Sequence, residues 1–249
     1  MSAAPALAGT LALVTGSGRG IGRAIALALA AEGARLVVHD IDPAGVAATA
    51  GLLPDALPLV ADVGEVAAMH AGIAAIEAAA GPIGILVNNA GIAADRRPLE
   101  ALTPEFFERT MHVHLRGAIF TTQAVLPGMK RRGGGAIVNI SSVQGLVGWT
   151  EGSAYNAAKG GLLALAKGWA KEFAPWGIRA NAVAPGHVAT DLVAAHDPPE
   201  VLARKAAGIP LGRYATPQEI AATVAFLCGP GAAFITGQVL SPNGGLVIT

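Results

Sequence analysis

Thr15-Gly16-Ser17-Gly18-Arg19-Gly20-Ile21-Gly22 is entered from an apolar run at 10–14 and left at once by a helical pattern. Glycines let a backbone turn tightly and approach a pyrophosphate closely, and the free N–H groups of a helix start favour an anion. Strict G-x-G-x-x-G spacing fails, because Ile21 (counted from Gly16) and Arg23 (counted from Gly18) occupy the last glycine's place. What fits is G-x-x-x-G-x-G through Gly16, Gly20 and Gly22. An ordinary tight loop shows similar glycines, so the strand before and the helix after are what make this a phosphate cradle, with Arg19 and Ile21 as its intervening members.

Outward from that turn, short runs rich in Val, Ile and Leu recur at 10–14, 35–38, 57–60, 84–87, 136–140, 178–183 and 238–240. Helix-length segments at 20–31, 65–80, 103–126, 152–173 and 217–227 lie between them. Strands with little polar alternation are covered on both faces, and right-handed crossovers between them force a parallel arrangement. The expected fold is α/β: a doubly wound Rossmann sheet of about seven parallel strands, with helices on both faces. No linker, composition shift or repeat cuts the chain, so 9–249 reads as one dinucleotide-binding catalytic domain behind a disordered tail at 1–8.

The 249 residues carry 17 basic and 17 acidic side chains, so the global positive field of a nucleic-acid or anionic-membrane binder is missing and neither partner is expected. The single cysteine, Cys228, excludes an internal disulfide framework and fits a reducing compartment; a soluble cytoplasmic protein is expected. Residues 1–18 lack the positive start of a signal peptide. The apolar run 220–240 is long enough to cross a bilayer, but Gly229-Pro230-Gly231 divides it into a helix, a turn and a strand.

The second strand ends at Asp40, twenty positions beyond Gly20. A carboxylate there accepts hydrogen bonds from both adenosine ribose hydroxyls, which a 2′-phosphate would prevent, so NAD is the expected cofactor. Arg19 is the opposing signal for NADP, since a guanidinium can pair with that phosphate. Two like charges ~4 Å apart cost about 4 kcal/mol at an effective dielectric of ~20, and a surface arginine recovers less.

Tyr155 and Lys159 lie four positions apart at the start of a helical segment, hence on one face. A free phenol titrates near ~10, too high for efficient proton exchange at neutral pH, and a cation at Lys159 is expected to lower it. Ser142 stands thirteen positions upstream, just past the run 136–140. Active sites of open parallel sheets form there, so its hydroxyl can hold a substrate oxygen beside the phenol; Ser141 is the competing candidate. Asn88-Asn89-Ala90-Gly91 closes the fourth strand in a tight turn.

In this order, these pieces resemble the short-chain dehydrogenase/reductase family over nearly the whole chain: Thr15-Gly16…Gly20…Gly22, Asp62-Val63, Asn88-Asn89-Ala90-Gly91, Ser142, Tyr155…Lys159, and Asn181…Pro185-Gly186 with Thr190. The resemblance implies that Ser142 positions the substrate oxygen, that Tyr155 shuttles its proton and that Lys159 also holds the nicotinamide ribose. It implies adenine contacts from Asp62 and Val63, ribose contacts from Asn89, Ala90 and Gly91, and a carboxamide pocket from Pro185, Gly186, Val188 and Thr190. A homotetramer is the family expectation. His114 occupies the place of the asparagine that usually completes the proton relay; imidazole still donates and accepts hydrogen bonds, so water-linked transfer through Lys159 can persist. His112 and His114 are two apart, which argues against a metal site. Pro242-Asn243-Gly244-Gly245 departs where the family often has Asp, a matter of packing.

Beyond Ser142, the stretch Gln144, Leu146 and Trp149 is expected to line the substrate side, which is mostly apolar here and through much of 188–211. One amide and one indole suit a hydrophobic or aromatic secondary alcohol and its ketone. A 3-oxoacyl thioester on a carrier protein or coenzyme A, reduced with NADPH, is the alternative. Arg96, Arg97 and Lys130-Arg131-Arg132 could receive acidic groups, although the triplet also ends a helix, where positive charge is favourable anyway.

Overall fold

A computed structural model describes residues 5–94, 97–190 and 198–249. Its seven strands are β1 (Leu11–Val14), β2 (Arg35–Asp40), β3 (Leu57–Val60), β4 (Ile83–Asn88), β5 (Gly135–Ile140), β6 (Ile178–Val183) and β7 (Val239–Leu240). They form one parallel sheet in the order β3-β2-β1-β4-β5-β6-β7. The order reverses between β1 and β4, and the crevice beyond the carboxyl ends at such a switch point is where open α/β sheets bind ligands.

Every residue of β1 and β4 is buried, because helices cover both faces. One core gathers Val14, Val38, Val87 and Val138 against Ile25 and Leu29 of α1 (Gly20–Ala31) and Ile220, Val224 and Leu227 of α9 (Pro217–Cys228). The alternate strand residues Leu13, Val37, Leu86 and Ile137 point the other way. They meet Met69 and Ile73 of α3 (Val66–Ala80), Val125 and Met129 of α5 (Gly117–Arg132), and Trp169 and Phe173 of α7 (Ser153–Phe173). Each such side chain contributes about 1.5–3 kcal/mol by leaving water.

The helix expected at 103–126 divides into α4 (Pro104–Met111), a π-helical turn at His112–Arg116, and α5, which runs on past Pro127 to Arg132. Proline removes a single N–H from that ladder, and the buried face of Val125 and Met129 outweighs the loss. Gly133, left-handed at φ 73°, ends the helix. Reading the sequence by apolar periodicity passes over α2 (Pro43–Ala50), whose buried residues are only Val46 and Thr49. Its start was nonetheless written in Asp42-Pro43, where the Asp42 carboxylate accepts from Ala44 N. Apolar periodicity likewise passes over the short α6 (Val143–Val147) and α8 (Pro199–Ala207). The expected tail at 1–8 is ordered in its second half: Leu7 is buried in the first core and its N–H donates to Glu32 O at 2.8 Å. The run 220–240 does break at Gly229-Pro230-Gly231, and no helix among the described residues is long and apolar enough to cross a membrane.

Candidate active site

The glycine turn leaves β1 and opens α1 at Gly20. Gly20 has φ +54°, and a side chain built there would meet only Thr190 Cγ2, at 3.9 Å. The turn therefore faces Thr190, in the loop after β6, with its helix-start amides on the side where an anion is favoured. Behind it Thr15 Oγ1 accepts from Asn89 N and Ala90 N, each at 3.0 Å. The Asn89 amide donates to Thr15 O and Gly16 O at 2.9 and 3.1 Å, which locks the β1 and β4 turns together at the switch point. Arg23 braces the cradle by donating to Gly18 O and to Thr49 Oγ1.

Asp40 closes β2 beside this turn and accepts from Gly18 N at 3.0 Å and from Asp42 N at 3.1 Å. Arg19 is exposed at the N-cap of α1. Asp62 accepts from Gly64 N at 2.9 Å and lies 3.3 Å from His112 Nε2, while the buried Val63 packs on Gly117. These groups, with Gly91 and Ile21 at the two turns, lie toward the carboxyl ends of β1, β2 and β4, and their chemistry fits a dinucleotide: a glycine turn, helix-start amides and the Asp40 carboxylate at the end of β2.

The catalytic candidates meet beyond β5. Ser142 and Ser141 part company there. The buried Ser141 hydroxyl donates to Lys159 O at 2.7 Å, whereas Ser142 caps α6 by accepting from Gln144 N at 3.1 Å. α6 lies tight against α7 at Gly145, where a Cβ would fall 2.7 Å from Lys159 C and 2.8 Å from Lys159 O. Tyr155 and Lys159 share one face of α7, with the Lys159 ammonium nitrogen 5.5 Å from the phenol ring's centre.

The electrostatics differ from the expected pairing. Burial pushes the phenol up to about 12, and the Ser142 hydroxyl pulls against that rise. Burial also pushes the Lys159 amine down to about 7, and its Nζ donates to Ile140 O at 2.8 Å. Desolvation thus outweighs the lowering that an ammonium one helical turn away was expected to give. His114 sits in the π-helical turn, a feature frequent at functional sites. Its ring meets Tyr155 edge-on at 5.4 Å, its Nε2 lies 3.2 Å from both Ile92 N and Ile92 O, and its buried Nδ1 has no protein partner. Burial first, and Lys159 second, hold this imidazole well below its ordinary value, so it is neutral. His112 turns instead to Asp62 and Glu65.

Gln144, Leu146 and Trp149 follow Ser142, all partly exposed. Pro185 O accepts from Val143 N at 3.0 Å, and Val188 pairs with Ala215, so the loops after β5 and β6 are tied to each other and to the entry of α9. Asn243 packs on Gly186 and folds the C-terminal turn through bonds to Ser241 and Val247, a structural task. Sequence reasoning passed over His187 and Tyr214, which stack at 5.1 Å beside Trp149; no spacing signals them, because they lie on loops 27 positions apart. Arg96 and residues 191–197 of the expected substrate side lie outside the described residues.

Residues 16–247 match the family model described as enoyl-(acyl carrier protein) reductase. The chain is 40% identical over 244 residues to a cis-4-hydroxycyclohexanecarboxylate dehydrogenase of Sinomonas cyclohexanicum, covering 96% of this chain and 97% of that one. Among solved structures, a gluconate 5-dehydrogenase of Burkholderia cenocepacia with NADP and tartrate superposes with TM-score 0.91 at 38% identity, over 98% and 97% of the two chains. A 3-ketoacyl-(acyl-carrier-protein) reductase of Brucella melitensis with NADH gives TM-score 0.91 at 35% identity, over 97% and 100%. With the switch-point cradle, the Ser142–Tyr155–Lys159 cluster and these likenesses along its whole length, the chain belongs to the short-chain dehydrogenase/reductase family of oxidoreductases.

Proposed function

We propose that the chain is an NAD(H)-dependent oxidoreductase interconverting a hydrophobic or aromatic secondary alcohol and its ketone. The observation that carries this is the convergence of Ser142, Tyr155 and Lys159 beyond β5, at the sheet edge that also holds the Gly20–Thr190 cradle. Bound in that cradle, a nicotinamide dinucleotide supplies or takes up the hydride. Ser142 donates a hydrogen bond to the substrate oxygen, and Tyr155 donates its proton to that oxygen as negative charge develops. A phenol pushed up to about 12 is protonated at neutral pH, the form that donates when the ketone is reduced. The neutral His114 takes the asparagine's place in the relay: its unpartnered Nδ1 can hold the water that returns a proton through Lys159.

For the cofactor, Asp40 favours NAD, because its carboxylate lies against the turn where a 2′-phosphate would bring like charge. Ribose contacts fall to Asn89, Ala90, Gly91 and Lys159, the carboxamide to Pro185, Gly186, Val188 and Thr190, and adenine to Asp62 and Val63. The 3-ketoacyl reductase likeness favours the second reading, a 3-oxoacyl-thioester reductase. Against it, the basic triplet is engaged at the far end of α5. Lys130 lies 3.5 Å over the Trp176 ring, Arg131 3.6 Å from Glu77, and Arg132 donates to Thr10 at the start of β1.

An apolar groove formed by Leu115, Ile119, Ala164, Leu165 and Trp169 supports self-association, which we take to be a homotetramer. The single buried Cys228 accords with a cytoplasmic location. Initial rates with ketones, 3-oxoacyl thioesters and sugars, each with NADH and with NADPH, test the proposal. Ketone turnover faster with NADH is expected; turnover of thioesters alone, with NADPH, would establish the second reading.

A further inference from the structure

Trp149, His187 and Tyr214 place three rings in a row across three separate loops. His187 is the middle member, 5.3 Å from Trp149 at a 56° tilt and 5.1 Å from Tyr214 at 21°. The row is held by backbone bonds at one end and at its middle. Trp149 O accepts from Asn156 Nδ2 at 2.7 Å, one residue from Tyr155, and His187 O accepts from Ala215 N at 2.9 Å. The Ser142 loop and the His187 loop are joined by Val143 N donating to Pro185 O. The row thus stands on the loops that leave the carboxyl ends of β5 and β6, beside Ser142.

Trp149, His187, Tyr214 and Leu146 are each partly exposed, with the hydroxyl end of Tyr214 buried. A pair tilted by 56° cannot cover each other's faces fully, so His187 leaves part of the Trp149 indole face for a ligand. The cation adjoining the row, Arg213, is committed to Glu219 through two bonds of 2.6 and 2.8 Å. This wall offers flat aromatic surface and keeps its neighbouring positive charge occupied, the reverse of what coenzyme or carrier phosphates require.

We infer that the Trp149–His187–Tyr214 row is the specificity wall of the site and that it selects a ketone or secondary alcohol borne on a ring, alicyclic or aromatic. The inference rests on the oxidoreductase reading above and narrows its substrate class. A rigid ring buries a flat apolar face against the row and surrenders little torsional freedom, whereas a straight acyl chain loses rotamer entropy to make the same contact.

The test compares kcat/KM for cyclohexanone, acetophenone, 2-butanone and acetoacetyl-CoA, with NADH and NADPH, in the full-length protein and in Trp149→Ala and Tyr214→Leu. The native protein is expected to prefer both ring ketones to 2-butanone and to acetoacetyl-CoA. Each variant is expected to lower the ratio of cyclohexanone to 2-butanone about tenfold. If both ketones lose in proportion, the row only supports the loops, and the inference is overturned while the oxidoreductase reading stands. A native preference for acetoacetyl-CoA or 2-butanone overturns it without recourse to either variant. If no carbonyl is turned over with either cofactor, the oxidoreductase reading fails and the inference goes with it.

Discussion

Lys159 makes the stability of the free protein depend on pH in a way that can be worked out beforehand. Its amine is buried and pushed from 10.5 down to about 7. Between those limits the unfolded chain carries a proton that the folded chain does not, so stability rises with pH across the window. Below about pH 7 the charge is buried in full and destabilises by about 5 kcal/mol; above about pH 10.5 that burden is gone. The usable range ends near pH 9, because the buried Cys228 thiol, pushed from 9.0 up to about 12, works in the opposite sense beyond it. His114 is lowered from 6.5 and so weakens the fold only on the acid side. From about pH 7 to about pH 9 the Lys159 contribution alone is a gain of about 2 kcal/mol. Urea unfolding followed by tryptophan fluorescence, at one fixed protein concentration, measures it. The native chain should gain about that much, and Lys159→Met should be nearly flat. Parallel slopes in the two proteins, or a native stability that falls with pH, would refute the assignment of a desolvated amine.

Gly145→Ala places a methyl 2.7 Å from Lys159 C and should destabilise by about 1–3 kcal/mol in thermal unfolding while lowering turnover, since α6 must move off α7. The two serines should separate in turnover. Ser142→Ala should lower kcat about 100-fold and cost about 1 kcal/mol through its cap on α6, whereas Ser141→Ala should cost about 1 kcal/mol through its bond to Lys159 O and leave kcat within a few-fold. Asp40→Ala should narrow the preference for NADH over NADPH in kcat/KM; an unchanged or wider gap would show that this carboxylate does not exclude the phosphate.

The parallel doubly wound sheet, its strand positions and the glycine turn were legible because buried parallel strands announce themselves as unbroken apolar runs and Gly16 and Gly20 take a positive φ that favours glycine. Asp40 was legible for the same reason, since it ends a strand at a fixed distance from the turn. α2 was not, because a helix that buries only Val46 and Thr49 leaves almost no periodicity to read. The extension of α5 through Pro127 depended on tertiary burial that overrides a local breaker. At the site, spacing brought Tyr155 and Lys159 together but misjudged their electrostatics, because desolvation is a property of the packed surroundings. The choice between Ser141 and Ser142 required knowing which hydroxyl faces α7. The aromatic row was invisible, since Trp149, His187 and Tyr214 meet only once the crossover from β5 to β6 has been laid down.

The central claim concerns a single proton, and Tyr155→Phe removes the group that carries it while keeping the ring that meets His114 edge-on. The decisive measurement is NADH oxidation at 340 nm with a ring ketone, paired with NADH binding by fluorescence, in the native protein and this variant. The account predicts unaltered NADH affinity and a loss in kcat of at least about 100-fold. Turnover in the variant within a few-fold of native would contradict it.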